Sequence, residues 1–378
     1  MTQITEIRSR TLRIPLDNPT SFSNRTVYFR DHPIVEIECD DGHTGVGFCY
    51  AGNSNGALVT QTIRELLAPV ILGEDPFRVE GLWKDMYQEA LLHGRAGAVV
   101  RAISAIDIAL WDHNAKSVEL PLWKLLGGFY KDVVPAYASG GYYLDGKSYD
   151  GLAQELTSYV DQGFKAVKIK VGRLSISEEA ERMRVARAAI GDDVALMLDA
   201  NNAFQNLETA LQYMRRAYEP YDPYWMEEPF SPDEIDMHGE LASRTHVPIA
   251  TGEIEAGRWR FKELLDKKAA MIIQPDAAVL GGITEFRRIA ATAGSYGISV
   301  APHWFHDLHL HLVAGLPNGT FVEFFPDDQV LSFRRVIDHQ TEVRDGSLVL
   351  PDRPGIGFGF RSEALEQYGL DDWESVRA

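Results

Sequence analysis

The second half of the chain alternates short apolar runs with longer amphipathic stretches, and this alternation limits its fold more than any other feature. Eight such runs follow one another from residue 133 onward: VVPAYA, FKAVKIKV, VALMLDA, YWMEEP, VPIATGE, AAMIIQPD, GISVAPH and TFVEFF. Amphipathic segments such as Glu178–Ile190 and Leu207–Tyr218 separate them. Repeated βα units predict a parallel sheet, and eight units suit a closed barrel. A doubly wound open sheet is the structural alternative, but no G-x-G-x-x-G loop or P-loop favours it.

The first 130 residues have a different pattern, which predicts a separate α+β domain. Three strand-like segments suggest a β-meander: Ile4–Ile14, Pro33–Cys39 and Thr44–Tyr50. The turn-rich segment 17–25 predicts a loop between the first two strands. Helical patterns follow at about 55–71, 79–92 and 97–116, and the third is apolar on nearly all sides, as expected of a buried helix.

A chain of 378 residues is longer than one compact core usually requires, which also indicates more than one domain. We predict an α+β capping domain at 1–130, which would carry the substrate-specificity loops, and a barrel at 131–340. Residues 341–378 are predicted to form a C-terminal tail that returns to the capping domain. The fold class is therefore α/β, a modified TIM barrel of the (β/α)7β type with a capping domain built from both ends of the chain.

Composition excludes several classes of function. The net charge of −18 argues against a nucleic-acid partner, because a phosphate backbone requires a basic surface. No apolar run is long enough to cross a bilayer, and the N-terminus alternates like a strand and not like a signal peptide, so we expect no membrane partner and a cytoplasmic location. The two cysteines, Cys39 and Cys49, are expected to be free buried thiols.

Six of the last seven strand candidates finish on an ionisable residue, and these residues stand about one βα unit apart. They are Lys170, Asp199, Glu227, Glu253, Asp276 and His303, with Glu323 inside the eighth strand. One charged residue after a strand means little, because charged residues favour strand ends and helix caps. Seven in register converge on one volume if the strands close into a ring, and barrel enzymes place their chemistry at that end.

Two lysines, Lys168 and Lys170, lie on the same side of one strand, since side chains alternate with period two. They could be solvated lysines on an edge strand, but the apolar residues around them weaken that alternative. If they are buried side by side, each lowers the pKa of the other, and one becomes a base near neutral pH.

Three carboxylates end three successive strands: Asp199, Glu227 and Glu253. Oxygen ligands without cysteine or histidine suit a hard divalent ion, Mg²⁺ before Zn²⁺. Each has a structural alternative, since Asp199 could cap a turn and Glu228-Pro229 could begin a helix. Of the adjacent Glu227 and Glu228, only one can point into the barrel mouth in a regular strand.

Asp276 and His303 form a candidate dyad, in which an acid orients the ring nitrogen of a general acid/base histidine. A lone histidine after a strand is more often structural. The nearby His306, His309 and His311 suggest a zinc site, but His311 turns away from the face that the other two share on a helix.

These motifs resemble, in order and spacing, the mandelate racemase subgroup of the enolase superfamily. The resemblance covers nearly the whole chain and rests on Lys168-Ile-Lys170, Asp199-Ala-Asn201, Glu227-Glu228-Pro229, Gly252-Glu253, Gln274-Pro275-Asp276, Ala301-Pro302-His303 and Gly281-Gly282-Ile283. Each motif is weak alone, whereas the ordered set is specific.

The resemblance implies a role for each of these residues. Asp199, Glu227 and Glu253 would bind one Mg²⁺ per subunit, which coordinates the substrate carboxylate. Lys170 would transfer a proton, with its pKa lowered by Lys168, and His303, paired with Asp276, would act from the opposite face. Glu323 would hydrogen-bond the substrate carboxylate, and Asn201 would contact a substrate hydroxyl or the carboxylate.

The activity implied by the resemblance is a Mg²⁺-dependent dehydratase of an aldonate or aldarate. It would remove the proton α to the carboxylate and eliminate the β-hydroxyl, giving a 2-keto-3-deoxy acid. The alternative is a racemase or epimerase of a 2-hydroxy acid that uses the same two-base site. Tyr143 at the first barrel strand and Arg25 in the loop before the second strand are expected, from their positions, to contact the small hydroxy-carboxylate substrate, and Lys168 is expected to contact it as well.

Other classes of function are less consistent with the set of residues. A metal-dependent aldolase or hydrolase on a similar barrel has no use for paired lysines opposite an Asp/His dyad. A non-catalytic barrel kept for binding would not need all of the candidate positions. Self-association is expected from the apolar surfaces of a two-domain chain, and the resemblance implies a homo-oligomer, from dimer to octamer.

Overall fold

The structure, a computed structural model, describes residues 2–22 and 25–378 and contains two sheets. The strands are β1 Ile4–Phe22, β2 Arg25–Cys39, β3 Thr44–Phe48, β4 Val133–Gly140, β5 Ala166–Lys170, β6 Ala195–Asp199, β7 Trp225–Glu227, β8 Ile249–Thr251, β9 Ile272–Ile273, β10 Ser299–Val300, β11 Val322–Phe324, β12 Val343–Arg344, β13 Ser347–Val349 and β14 Glu374–Arg377.

Helices connect most of these strands. The α-helices are α1 Gly56–Gln61, α2 Ala68–Ile71, α3 Val79–Ala90, α4 Ala98–Ser117, α5 Leu122–Leu125, α6 Tyr149–Asp161, α7 Ile176–Ile190, α8 Leu207–Tyr213, α9 Ile235–Ala242, α10 Gly257–Asp266, α11 Gly282–Ser295, α12 His306–Ala314, α13 Asp328–Leu331 and α14 Ser362–Tyr368. Two π-helical turns occur at Thr62–Leu67 and Met214–Tyr218, and two 3₁₀ turns at Glu219–Tyr221 and Phe333–Arg335.

The N-terminal sheet has the strand order β14-β1-β2-β3. Helix α4 packs on β2 and β3, and its apolar sequence is explained because its residues from Ala102 to Ala115 are buried. The prediction of a loop at 17–25 is wrong for the described residues, because β1 continues to Phe22 and pairs again with β2 from Thr20 onward. The register shifts between the pairs Pro15–Phe29 and Thr20–Val27, which leaves extra residues of β1 outside the pairing. The two strands therefore continue as one long antiparallel hairpin.

The second sheet forms the predicted barrel. Strands β4 to β10 pair in chain order and in parallel, and β11 pairs with the other side of β4. A parallel bridge between Val300 and Gly319 brings the chain before β11 beside β10, which closes the ring. Seven βα units precede the last strand, so the (β/α)7β prediction is confirmed.

Side chains from successive strands fill the inside of the barrel. They form one buried cluster made of Tyr137, Ala166, Met197, Trp225, Ala250, Ile272 and Ala301. The barrel is therefore a packed core, and only the ends of its strands are open to a ligand.

The C-terminal segment contacts both parts of the molecule. Strand β13 pairs with β4 of the barrel, whereas β14 pairs with β1 of the N-terminal sheet. The residue limits given above for the three domains stay a prediction. Cys39 and Cys49 are free and buried, as expected. Among the described residues, none of the helices combines the length and the apolar character that a membrane span requires.

Candidate active site

The register of the parallel strands brings the ionisable strand ends together. Lys170 is the neighbour of Asp199 across β5 and β6, and Asp199 is the neighbour of Glu227 across β6 and β7. The three residues therefore form a row at the carboxyl edge of the sheet. This row exists because each strand ends at the same level, which the even spacing along the sequence had indicated.

Three carboxylates at this edge form a group that fits a metal ion. One oxygen atom from each of Asp199, Glu227 and Glu253 lies within 4.8 Å of the others. It is the one group of this kind among the residues whose side chains the structure describes. Asp199 and Glu227 are fully buried, and buried carboxylates so close together repel one another unless positive charge is present. A set of oxygens without nitrogen or sulfur fits Mg²⁺.

The two lysines supply positive charge to these carboxylates. Nζ of Lys170 donates to Oδ2 of Asp199 at 2.5 Å, and Nζ of Lys168 donates to Oε1 of Glu227 at 2.7 Å. Both lysines are buried, so the alternative of solvated edge lysines is wrong.

The expected depression of the pKa of Lys170 is also wrong in this arrangement. Burial and the neighbouring Lys168 lower the pKa of Lys170, but the Asp199 carboxylate and Tyr142 outweigh them and raise it above its ordinary value. The sequence indicated the contribution of Lys168, whereas the contribution of Asp199 depends on the distance between two side chains 29 residues apart.

Glu228 lies near the carboxylate group to which its neighbour Glu227 belongs. In a regular strand, two consecutive side chains would point to opposite faces. The strand β7 ends at Glu227, and Glu228 takes a left-handed backbone conformation with φ of 41°. The chain therefore turns so that both acidic side chains reach the same region. Burial raises the pKa of Glu228 well above its usual range, and the charges of Glu253 and Asp199 raise it further.

The Asp276–His303 pair exists as predicted in its geometry. Nδ1 of His303 lies 3.0 Å from Oδ2 of Asp276, and Nε2 lies 3.6 Å from Oε2 of Glu253. Burial lowers the pKa of His303, but Glu253 and Asp276 outweigh it and raise the pKa to about 9. The catalytic role of the pair stays a prediction.

The zinc alternative at the three following histidines has no support in the described part of the chain. His309 bonds to the backbone of Trp304 and Ala277, and His311 to that of Trp123 and Ile356. Both ring nitrogens of each are used within the fold, so these two histidines are structural.

Glu323 lies between Lys168 and the backbone of Trp304, and its role toward a substrate carboxylate stays a prediction. Its Oε1 lies 2.8 Å from Nζ of Lys168, and its Oε2 accepts the backbone N–H of Trp304. Burial alone would raise the pKa of Glu323, but Lys168 and His303 lower it below its ordinary value.

A cavity of about 440 Å³ opens between the barrel mouth and the N-terminal domain. Five residues selected from the sequence line it: Lys170, Asn201, Glu253, His303 and Glu323. Lys168 lies beneath them, 1% exposed. Tyr143 is not among the lining residues, and its hydroxyl donates to Glu179. The side chain of Arg25 lies outside the described part of the structure.

Several lining residues were not singled out from the sequence. They include Arg30, Tyr50, Asn53, Asn55 and Arg101 from the N-terminal domain, and Tyr142 and Glu228 from the barrel. Two signals could have indicated the arginines: Arg30 interrupts the pattern of a strand, and Arg101 is a charged residue in the mainly apolar first half of a helix. Neither signal indicates by itself that the two side chains share a cavity.

Two family models match the chain. Residues 4–127 match the N-terminal domain of mandelate racemase and muconate lactonizing enzyme, and residues 151–364 match the enolase C-terminal domain-like family. Together they cover most of the sequence and both parts of the fold.

Characterised proteins show the same similarity. The arabinonate dehydratase of Saccharolobus solfataricus is 37% identical, over 89% of this chain and 91% of its own length. The 3,6-anhydro-alpha-L-galactonate cycloisomerase of Streptomyces coelicolor is 34% identical, over 96% of this chain and 98% of its own. The crystal structure of the L-talarate/galactarate dehydratase of Salmonella typhimurium with Mg and L-lyxarohydroxamate has a TM-score of 0.91 and 32% identity. It covers 100% of this chain and 95% of that one.

Proposed function

The chain belongs to the mandelate racemase and muconate lactonizing enzyme family of the enolase superfamily, and on that premise we propose that it is a Mg²⁺-dependent dehydratase of an acid sugar. The reaction removes the proton α to the carboxylate of an aldonate or aldarate and eliminates the β-hydroxyl. The product is a 2-keto-3-deoxy acid. Two of the similar proteins described above are dehydratases of acid sugars, which supports this assignment.

One observation carries the proposal: two groups able to transfer a proton line the same cavity as one of the carboxylates proposed to hold the metal. Lys170 comes from β5 and His303 follows β10, so they reach the cavity from different parts of the barrel ring. Glu253 of the carboxylate group lines the same cavity. A hydroxy acid bound there by its carboxylate would have a proton-transfer group near each face of its α-carbon.

The three carboxylates Asp199, Glu227 and Glu253 would hold the metal. When bound there, Mg²⁺ would supply positive charge that favours the enediolate and would offset the charge of Asp199, which raises the pKa of Lys170. The protein's own groups then move the protons.

Nζ of Lys170, as the free amine, accepts the α-proton, and the electron pair of the C–H bond enters the enediolate. His303 acts as the acid: Asp276 fixes Nδ1, and Glu253 and Asp276 raise the pKa of the ring, which favours a proton on Nε2. That proton passes to the β-hydroxyl, which leaves as water while the enediolate collapses to an enol. The enol then tautomerises: its C2 hydroxyl loses a proton and C3 gains one, which gives the 2-keto acid.

The isomerase alternative uses the same two groups. If His303 returns a proton to the α-carbon before the β-hydroxyl leaves, the product is the C2 epimer. The cycloisomerase described above is a similar chain with an isomerase activity, and this similarity supports epimerisation as the second candidate function.

The experiment is an exchange assay in heavy water. The protein is incubated with Mg²⁺ and a panel of aldonates and aldarates, and NMR follows deuterium at C2 while a colour reaction follows 2-keto acid. Exchange together with 2-keto acid supports dehydration, and exchange with inversion alone supports epimerisation. No exchange with any acid sugar, despite bound metal, would rule out both.

A further inference from the structure

We propose that Arg30 and Arg101 bind a second carboxylate at the far end of the substrate, so that this protein acts on an aldarate, an acid sugar with a carboxylate at both ends. The inference rests on the proposed function and narrows it, because both arginines line the cavity that also holds Lys170 and His303.

Arg30 is buried, with 4% of its surface exposed, and only part of its guanidinium is used within the fold. Nε donates to the backbone oxygen of Val330 at 2.8 Å, and Nη1 donates to the hydroxyl of Tyr50 at 3.1 Å. The guanidinium also lies 4.4 Å from the ring centre of Trp304, the residue after His303. These contacts hold its plane in place, and Nη2 makes no hydrogen bond to any residue that the structure describes.

Arg101 reaches the same cavity from the first turn of α4. One of its terminal nitrogens donates to the backbone oxygen of Tyr50, so the two arginines hold opposite ends of one tyrosine. Neither arginine forms a salt bridge with any side chain that the structure describes, whereas many other arginines of this protein do.

The missing counter-charge is notable because the chain has 55 acidic and 37 basic residues. Acidic partners are abundant, yet two guanidiniums at one cavity have none among the described residues. A buried or half-buried cation without an anion is costly, and an anionic ligand group removes that cost. Guanidiniums match a carboxylate in shape and can each donate two parallel hydrogen bonds.

The N-terminal end of α4 adds to the positive electrostatic potential in this cavity. Ala98, its first residue, lines the cavity, and no side chain caps the N-terminus of this 20-residue helix. The first N–H groups of a helix favour an anion. Asn53 and Asn55 line the cavity as well and offer amides to sugar hydroxyls between the two ends.

The test compares substrates that differ only at the far end. Each aldarate of a six-carbon panel is paired with the aldonate of the same configuration at C2 to C5, of which galactarate and galactonate are one pair. kcat and KM are measured with Mg²⁺ for the full-length wild type, Arg101→Gln, Arg30→Gln and, as matched control, Arg95→Gln. Arg95 is exposed, stands six residues before Arg101 and does not line the cavity.

We expect the wild type to prefer the diacid of its best pair. Arg101→Gln and Arg30→Gln should each lower kcat/KM for the diacid by about 10- to 100-fold, mainly through KM, because each loses charged hydrogen bonds. Neither should change the monoacid by more than about threefold, and Arg95→Gln should change neither substrate. Because Arg30 is buried, circular dichroism checks its folding, and if Arg30→Gln unfolds, Arg101→Gln alone decides.

Two results would overturn the inference: an equal loss of diacid and monoacid activity in a folded Arg101→Gln, or a wild type that prefers the monoacid. In the second case the proposed function would stand and only the diacid assignment would fail. If the wild type exchanges the α-proton of no acid sugar from either half of the panel, the proposed function itself fails.

Discussion

Oδ2 of Asp276 lies 3.0 Å from Nδ1 of His303, which turns the other ring nitrogen toward Glu253 and the cavity. Asp276 has no place among the lining residues of that cavity and can act only through the histidine. It is therefore a positioning residue: it selects the tautomer and the orientation of the ring, and it raises the pKa of His303.

Asp276→Asn should lower kcat by about 100-fold or more, since the ring loses its fixed orientation and part of the charge that keeps it protonated. The measurement is steady-state kinetics of the single variants Asp276→Asn and His303→Asn and of the double variant. If Asp276 acts through His303, its substitution in the His303→Asn background should cost much less than it does alone. Equal costs in both backgrounds would show that Asp276 acts independently.

Lys170→Ala should abolish proton exchange with at least one C2 configuration of the substrate, because one face of the α-carbon loses its proton-transfer group. His303→Asn should abolish exchange from the other face. NMR in heavy water with both C2 epimers separates the two, and Lys165→Ala is the control, since Lys165 is exposed on the segment just before β5. Full activity of both variants would contradict the two-base model.

Glu253→Gln should weaken Mg²⁺ binding by at least about tenfold, because a neutral amide replaces one of three anionic ligands. Titration calorimetry of the variant gives the affinity without any need for turnover. Glu234→Gln, a change at an exposed glutamate outside the carboxylate group, should leave the affinity unchanged. An unaltered Mg²⁺ affinity in Glu253→Gln would mean that the ligand assignment is wrong.

The barrel and the row of ionisable residues were predictable because both are periodic along the sequence. One polar group after each apolar run becomes one group per strand end once the strands pair in parallel, as Lys170, Asp199 and Glu227 do. No tertiary information is needed for that step.

Features that depend on distances between side chains could not be obtained in this way. The raised pKa of Lys170 follows from a 2.5 Å contact with Asp199, and the position of Glu228 follows from a left-handed residue at the end of β7. Arg30 and Arg101 come from a strand and a helix that meet only in the folded capping domain. The spacing of residues along the sequence does not indicate that these two side chains share a cavity.

Asp107 links the capping domain to the barrel and provides a test that is independent of catalysis. It lies in α4, and its two oxygens accept the backbone N–H of Thr284 at 2.9 Å and the Thr284 hydroxyl at 2.6 Å, at the start of α11. Burial raises the pKa of Asp107 to about 7 despite these hydrogen bonds. The folded protein therefore binds this proton more tightly than the unfolded chain does, where the ordinary value is 3.8.

The stabilisation that comes from the tighter proton is fully present below about pH 4 and is lost as the pH rises through about 7. The side chain of Asn in Asp107→Asn does not titrate, so this variant serves as the reference. From pH 5 to pH 8 the free energy of unfolding of the wild type should fall, relative to that of the variant, by on the order of 2 kcal/mol. Urea denaturation at both pH values measures the two differences. Asp107→Asn also loses an acceptor for Thr284, but that cost is the same at both pH values and cancels. A wild-type-minus-variant difference that stays constant would show that Asp107 is ionised throughout.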